Sequence, residues 1–118
     1  MEESLFERMR PFLGDLQKLY ERMAGQMELW EECVMLFPGK EILEETDRAV
    51  REANYKDLYA TVHRLKGNLA NFGFDGAAES AMAVLAAIKA EEYEQAEELY
   101  EKLKETYIQI AERIGEAE

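Results

Sequence analysis

The chain has 118 residues, 26 of them acidic against 14 basic, for a formal net charge of −12 at pH 7. That length fits one domain, residues 1–118, with one core and no room for a second catalytic domain. The acid excess excludes a nucleic-acid binder, and runs such as Glu91-Glu92 and Glu97-Glu98 would be repelled by anionic membrane surfaces too; they read as solvated helix faces.

Nearly all of the chain reads as helix, with two prolines, no alternating strand pattern, and an abundance of Glu, Lys, Leu, Ala and Met. Ser4 is a candidate cap for a short first helix running to about Pro11. Gly14-Asp15 marks a break and restart, with Asp15 suited to the N-cap, and Leu16, Leu19, Tyr20 and Met23 then form an apolar stripe. Gly25 interrupts this segment. Met27, Trp30, Val34 and Phe37 continue with helical spacing. Pro38-Gly39 breaks or kinks the chain, unless Pro38 opens the next helix. That helix carries the stripe Ile42, Leu43, Thr46, Ala49 and Val50.

Ala53-Asn54 is a turn, and Tyr55 opens a helix that Gly73 ends as a C′ residue. Asp75 is a candidate N-cap for an alanine-rich helix reaching Ile88, whose small residues let neighbouring helices approach closely. Ala90-Glu91-Glu92 is the last turn. The final helix carries Tyr93, Ala96, Leu99, Leu103, Tyr107, Ile110 and Ile114 as its stripe, with Glu98 and Lys102 as an ordinary surface pair. Short turns near Gly73 and Ala90 make the joined helices antiparallel neighbours. The expected architecture is all-α: an antiparallel four-helix bundle with one or two short N-terminal helices over one end.

Cys33 is the lone cysteine and His63 the lone histidine, so neither an internal disulfide nor a zinc site can be assembled. Cys33 falls in an apolar stretch and reads as packed. The longest apolar run, Ala81 to Ile88, is too short to span a membrane, and no signal peptide is seen, so the expected compartment is the cytoplasm.

The stretch with most to say is His63-Arg64-Leu65-Lys66-Gly67. From Tyr55 to Phe72 the large apolar residues are Leu58, Val62, Leu65, Leu69 and Phe72, spaced four, three, four and three. At 100° per residue this stripe spans about 80°, and His63 lies about 140° from its centre. His63 therefore faces solvent. Ala60, Gly67 and Ala70 keep the surface around it low, and Lys66 can bring an ammonium to the same face. A glycine inside a helix costs about 1 kcal/mol relative to alanine, so Gly67 implies a need for space beside the imidazole.

These residues, with Asn68-Leu69-Ala70-Asn71-Phe72-Gly73-Phe74 after them and Ala53-Asn54-Tyr55 before, resemble the His-x-Leu-Lys-Gly signature of histidine-containing phosphotransfer (HPt) domains. The resemblance covers roughly residues 27–114 and leaves 1–26 as an N-terminal helical extension. It implies that His63 is phosphorylated on a ring nitrogen, that Lys66 stabilises the phosphoryl group, and that Gly67 leaves room for it. It implies a carrier without turnover of its own, placed between aspartates of receiver domains in a two-component phosphorelay. The implied partners are receiver domains and a hybrid or ordinary sensor histidine kinase. No cofactor of its own is implied; Mg²⁺ is expected on the receiver. Wheel geometry puts Tyr59, Ala60, Arg64 and Ala70 on the docking face around His63. Chemotaxis-kinase members of the family typically set a glutamate from the following helix beside their histidine. Ala81 to Ala87 holds no carboxylate, which favours a relay between receivers.

Two other functions fit the sequence less well. A helical scaffold or inhibitor could dock on a receiver or kinase without transferring phosphate, but it has no reason to keep a glycine-flanked exposed histidine. A hydrolytic or di-iron bundle enzyme needs Glu-x-x-His pairs on two helices, which one histidine cannot supply; Asp57, Thr61 and Glu79 show no catalytic spacing. Met27, Trp30 and Met35 read as core, not as a ligand groove.

Overall fold

Side-chain caps decide where several helices begin. A computed structural model describes residues 4–37 and 41–115 of the chain. Ser4 accepts a hydrogen bond from the Glu7 amide at 3.2 Å and opens α1, Leu5–Met9, which runs into a 3₁₀ turn at Arg10–Phe12. Asp15 accepts from the Lys18 amide at 3.1 Å and opens α2, Leu16–Arg22. Asn54 does the same for the Asp57 amide, also at 3.1 Å, and opens α5, Tyr55–Asn71. The remaining helices are α3 (Met27–Val34), α4 (Glu41–Arg51), α6 (Asp75–Lys89) and α7 (Tyr93–Gly115). Among the described residues there is no strand.

The turns after α4, α5 and α6 share one geometry. After α5, Gly73 takes φ +84°, and the Phe74 amide reaches back to the Leu69 carbonyl at 2.9 Å. After α4 and α6 the same left-handed position is held by Ala53 (φ 52°) and Glu91 (φ 59°), with the next amide bonded to Ala49 or Ala87. Each satisfies carbonyls that a helix end leaves unpaired, and each reverses the chain.

α5 packs between α4 and α6, and α6 packs on α7. The buried faces are the expected stripes: Ile42, Leu43, Thr46 and Ala49 on α4, and Leu58, Val62, Leu65 and Leu69 on α5. On α6 the alanines Ala77, Ala78, Ala81 and Ala87 are buried with Val84, Leu85 and Ile88. α7 buries Ala96, Leu103, Tyr107, Ile110 and Ile114. It also buries Tyr100 completely, a position absent from the expected stripe, where the half-buried Leu99 stood instead. Tyr100 tolerates burial because its hydroxyl donates to Asp47 Oδ1 on α4 at 2.8 Å. Lys104 bonds the other carboxylate oxygen, also at 2.8 Å.

The N-terminal helices fasten the end of α5. The Trp30 indole donates to the Phe72 carbonyl at 2.9 Å, and Arg22 donates to the carbonyls of Ala70 and Asn71 at 2.6 and 3.1 Å. Asp75 is not an N-cap. It is the first residue of α6, and its carboxylate accepts from the Asp15 amide at 2.9 Å, so its partner is tertiary. A Cβ on Gly14 would run into that carboxylate, which explains the glycine.

Other expectations are corrected at the surface. Tyr20 and Met35 are exposed and do not join the core. Cys33 is half-buried. The ion pairs among the described residues join Arg10 with Glu7, Arg64 with Glu45 and Lys104 with Asp47, and do not include Glu98 with Lys102. The Pro38-Gly39 break lies outside the described residues. Among the described residues no helix is long and apolar enough to cross a membrane, and no three His, Cys, Asp or Glu side chains cluster as a metal site.

Candidate functional site

Four fully buried residues, Leu58, Val62, Leu65 and Leu69, hold one face of α5 against the core. The opposite face is thereby turned to solvent at a fixed angle, and His63 stands on it, exposed. Neither imidazole nitrogen is hydrogen-bonded within the described residues. One turn on, a Cβ built on Gly67 would meet nothing within 4 Å. Among the described residues no neighbour requires glycine there. Lys66 is half-buried and makes no ion pair or hydrogen bond within the described residues, leaving its ammonium uncommitted.

The four residues expected around His63 fall in different settings. Ala60 is exposed and gives a low surface one turn before the histidine. Ala70 is half-buried, and its carbonyl is taken by Arg22. Arg64 is exposed, but its guanidinium is tied to Glu45 of α4 at 2.9 Å. It borders a groove of about 330 Å³ between α4 and α5, whose walls include Glu45, Arg48, Ala60 and Thr61. Surface pairs of this kind contribute about 0–1 kcal/mol, so Arg64 can exchange Glu45 for another acceptor at little cost. Tyr59 is half-buried, with its ring centroid 6.3 Å from that of His63 and the planes 20° apart.

The structure adds α6 to this face. Lys89 places its ammonium 5.7 Å from the centroid of the Tyr59 ring. Met82, two turns earlier on the same edge of α6, is 54% exposed. The two helices run antiparallel, so Met82 lies level with Lys66 and Gly67, and Ala83 and Ala86 beside it are exposed. Sequence reasoning missed both Met82 and Lys89. Their seven-residue spacing was visible, but the edge of α6 that meets α5 is set by packing.

The outer face of α5 thus offers an unbonded imidazole, an uncommitted ammonium and open space within one turn. The model of one protein family, described as Hpt domain, matches residues 5–113. The chain belongs to the Hpt domain family. Members are histidine phosphotransfer modules of two-component signalling, phosphoryl carriers that work with receiver domains and histidine kinases. The match begins at residue 5 and so takes in helices before Met27, where sequence resemblance had faded. Comparison with curated proteins and with solved structures returned no match.

Proposed function

We propose that this Hpt domain carries a phosphoryl group on His63 between aspartates of receiver domains. The observation that carries the reading is the open solvent side of α5, where exposed His63 stands one turn from a glycine that no neighbour among the described residues requires. A neutral ring nitrogen attacks the phosphorus of a receiver's aspartyl phosphate. The N–P bond forms as the P–O bond to the aspartate breaks, and the carboxylate departs. The other ring nitrogen keeps its proton, so the step needs no separate base. Lys66 meets the charge on the transferring oxygens, and Gly67 admits the phosphoryl group and the receiver surface behind it. The receiver contributes the acidic pocket and its Mg²⁺.

On this reading the four longer helices, α4 to α7, are the family's antiparallel four-helix bundle, and residues 1–118 act as one domain in the cytoplasm. Docking engages Ala60, Arg64 and Ala70, with Met82 as an apolar contact. The missing carboxylate between Ala81 and Ala87 favours exchange between receivers over service as the substrate of a chemotaxis-type kinase.

The test charges a panel of receiver domains with labelled phosphate and follows label onto this protein and onto a His63→Gln variant. Acid-labile, base-stable label on the wild type alone is the expected result. Binding to receivers without label from any of them would overturn the carrier reading and leave a docking scaffold.

A further inference from the structure

His63 lacks a hydrogen-bonded partner to fix its ring. Phosphoryl transfer requires the attacking nitrogen in line with the breaking bond, and an exposed side chain on a helix samples more than one rotamer. One side chain limits that freedom. Tyr59 precedes His63 by four residues and lies on the same flank of α5, with the two rings close to parallel at 6.3 Å between centroids.

Tyr59 is itself held. It is half-buried, and Lys89 approaches its ring from α6 at 5.7 Å, within cation–π range. Its hydroxyl has no hydrogen bond within the described residues. The ring, not the oxygen, is what the surroundings engage. The order in space is an ammonium of α6, a phenol ring and an imidazole of α5, on a flank where α6 offers no carboxylate from Ala81 to Ala87.

We propose that Tyr59, braced by Lys89, is a positioning residue that holds the His63 imidazole ready for in-line transfer. This assigns Tyr59 a task in the rate of transfer instead of in docking, and it rests on the reading of His63 as the phosphorylated residue.

Two measurements test it. In single-turnover transfer from a phosphorylated receiver, varying receiver concentration separates the maximal rate from the half-saturating concentration. Tyr59→Leu is expected to lower the maximal rate about tenfold, with half-saturation changed less than twofold; a lost positioning contact acts on the step after binding. Tyr59→Phe should restore the rate. Lys89→Met, an exposed change that leaves the core untouched, should lower it about threefold. A rise in half-saturation at an unchanged maximal rate, or no change in either, would overturn the proposal.

The second measurement needs no transfer. Proton NMR of the full chain should show the imidazole resonances of His63 displaced by the ring current of Tyr59. The displacement should persist in Tyr59→Phe, diminish in Lys89→Met and vanish in Tyr59→Leu. Unchanged imidazole resonances in Tyr59→Leu would overturn the positioning role. If the wild type accepts no label from any receiver, the carrier reading fails, while these resonances still decide whether Tyr59 orders His63.

Discussion

Two lysine-bearing regions of this small protein are built in opposite ways. At the α4–α7 contact, Lys104 and the buried Tyr100 hydroxyl both close on Asp47 at 2.8 Å, and every polar group there has a partner. On the outer face of α5, Lys66 and His63 make no hydrogen bond or ion pair among the described residues. The first arrangement stabilises the fold, because a satisfied network tolerates burial that a lone polar group does not. The second contributes little to stability; on the proposed function its charge and lone pair serve a molecule from outside.

The sharpest break in that contrast is expected from His63→Gln. Transfer should be abolished while the thermal midpoint stays within about 2 °C, since an exposed residue without internal bonds changes stability by only about 0.5 kcal/mol. A large loss of midpoint would show that His63 serves the fold. Asp47→Ala is the mirror experiment. It leaves the Tyr100 hydroxyl only the Leu43 carbonyl at 3.5 Å and removes the acceptor of Lys104, and should cost about 1–3 kcal/mol in urea unfolding, with transfer per folded molecule unchanged.

Gly67→Ala tests both regions' logic at one position. The methyl meets nothing within 4 Å, so the isolated protein should gain about 1 kcal/mol in unfolding measurements. Transfer should fall, because the methyl occupies space kept for the phosphoryl group. A gain in stability with full activity would mean that the space serves no partner.

The partnered region also sets an alkaline limit. Burial pushes the Tyr100 hydroxyl well above its usual 10.0, helped by its hydrogen bond to Asp47. Burial pushes Tyr107 up to about 12. The bond to Asp47 raises Lys104 from 10.5. Groups with a raised pKa in the folded state bind more protons folded than unfolded. Their contribution is complete below about pH 10 and is lost as pH climbs through the raised values. The urea midpoint should therefore hold from pH 7 to 9 by these groups and fall above 10. Tyr100→Phe should show a shallower fall.

The smallest effect is expected at the turn after α4. Ala53 holds the left-handed conformation that Gly73 holds after α5, so Ala53→Gly should stabilise by about 0.5 kcal/mol in the same assay. Gly73→Ala should destabilise.

Much of this contrast was legible in the sequence, for local reasons. The four-three spacing from Leu58 to Phe72 settles which way His63 faces, because helix geometry alone relates the two. Ser4 and Asp15 announce their helices because a cap bond spans three residues, whereas Asn54, also a cap, reads only as part of a turn. What was hidden depended on distant parts of the chain. Asp75 reads as a cap until Asp15, far away in sequence, claims its carboxylate. The stripe read for the last helix takes Leu99 where Tyr100 is buried, and the partner that lets the Tyr100 hydroxyl be buried, Asp47, comes from another helix. The flank formed by Met82 and Lys89 depends on how α6 turns against α5. The residues before Met27 gave their helices but not their fastening to the end of α5 through Trp30 and Arg22.

Whether the imidazole on the open face of α5 accepts a phosphoryl group can be read directly, because the chain has a single histidine. Phosphorus NMR of the protein after charging by a phosphorylated receiver should show one resonance with the shift of a nitrogen-bound phosphoryl group, vanishing in acid and persisting in base. Its absence from the His63→Gln variant would assign it to His63, the one histidine among 14 lysines and arginines that could also hold a nitrogen-bound phosphoryl group. A protein that docks the receiver and shows only released inorganic phosphate, or a resonance stable to acid, would contradict the account.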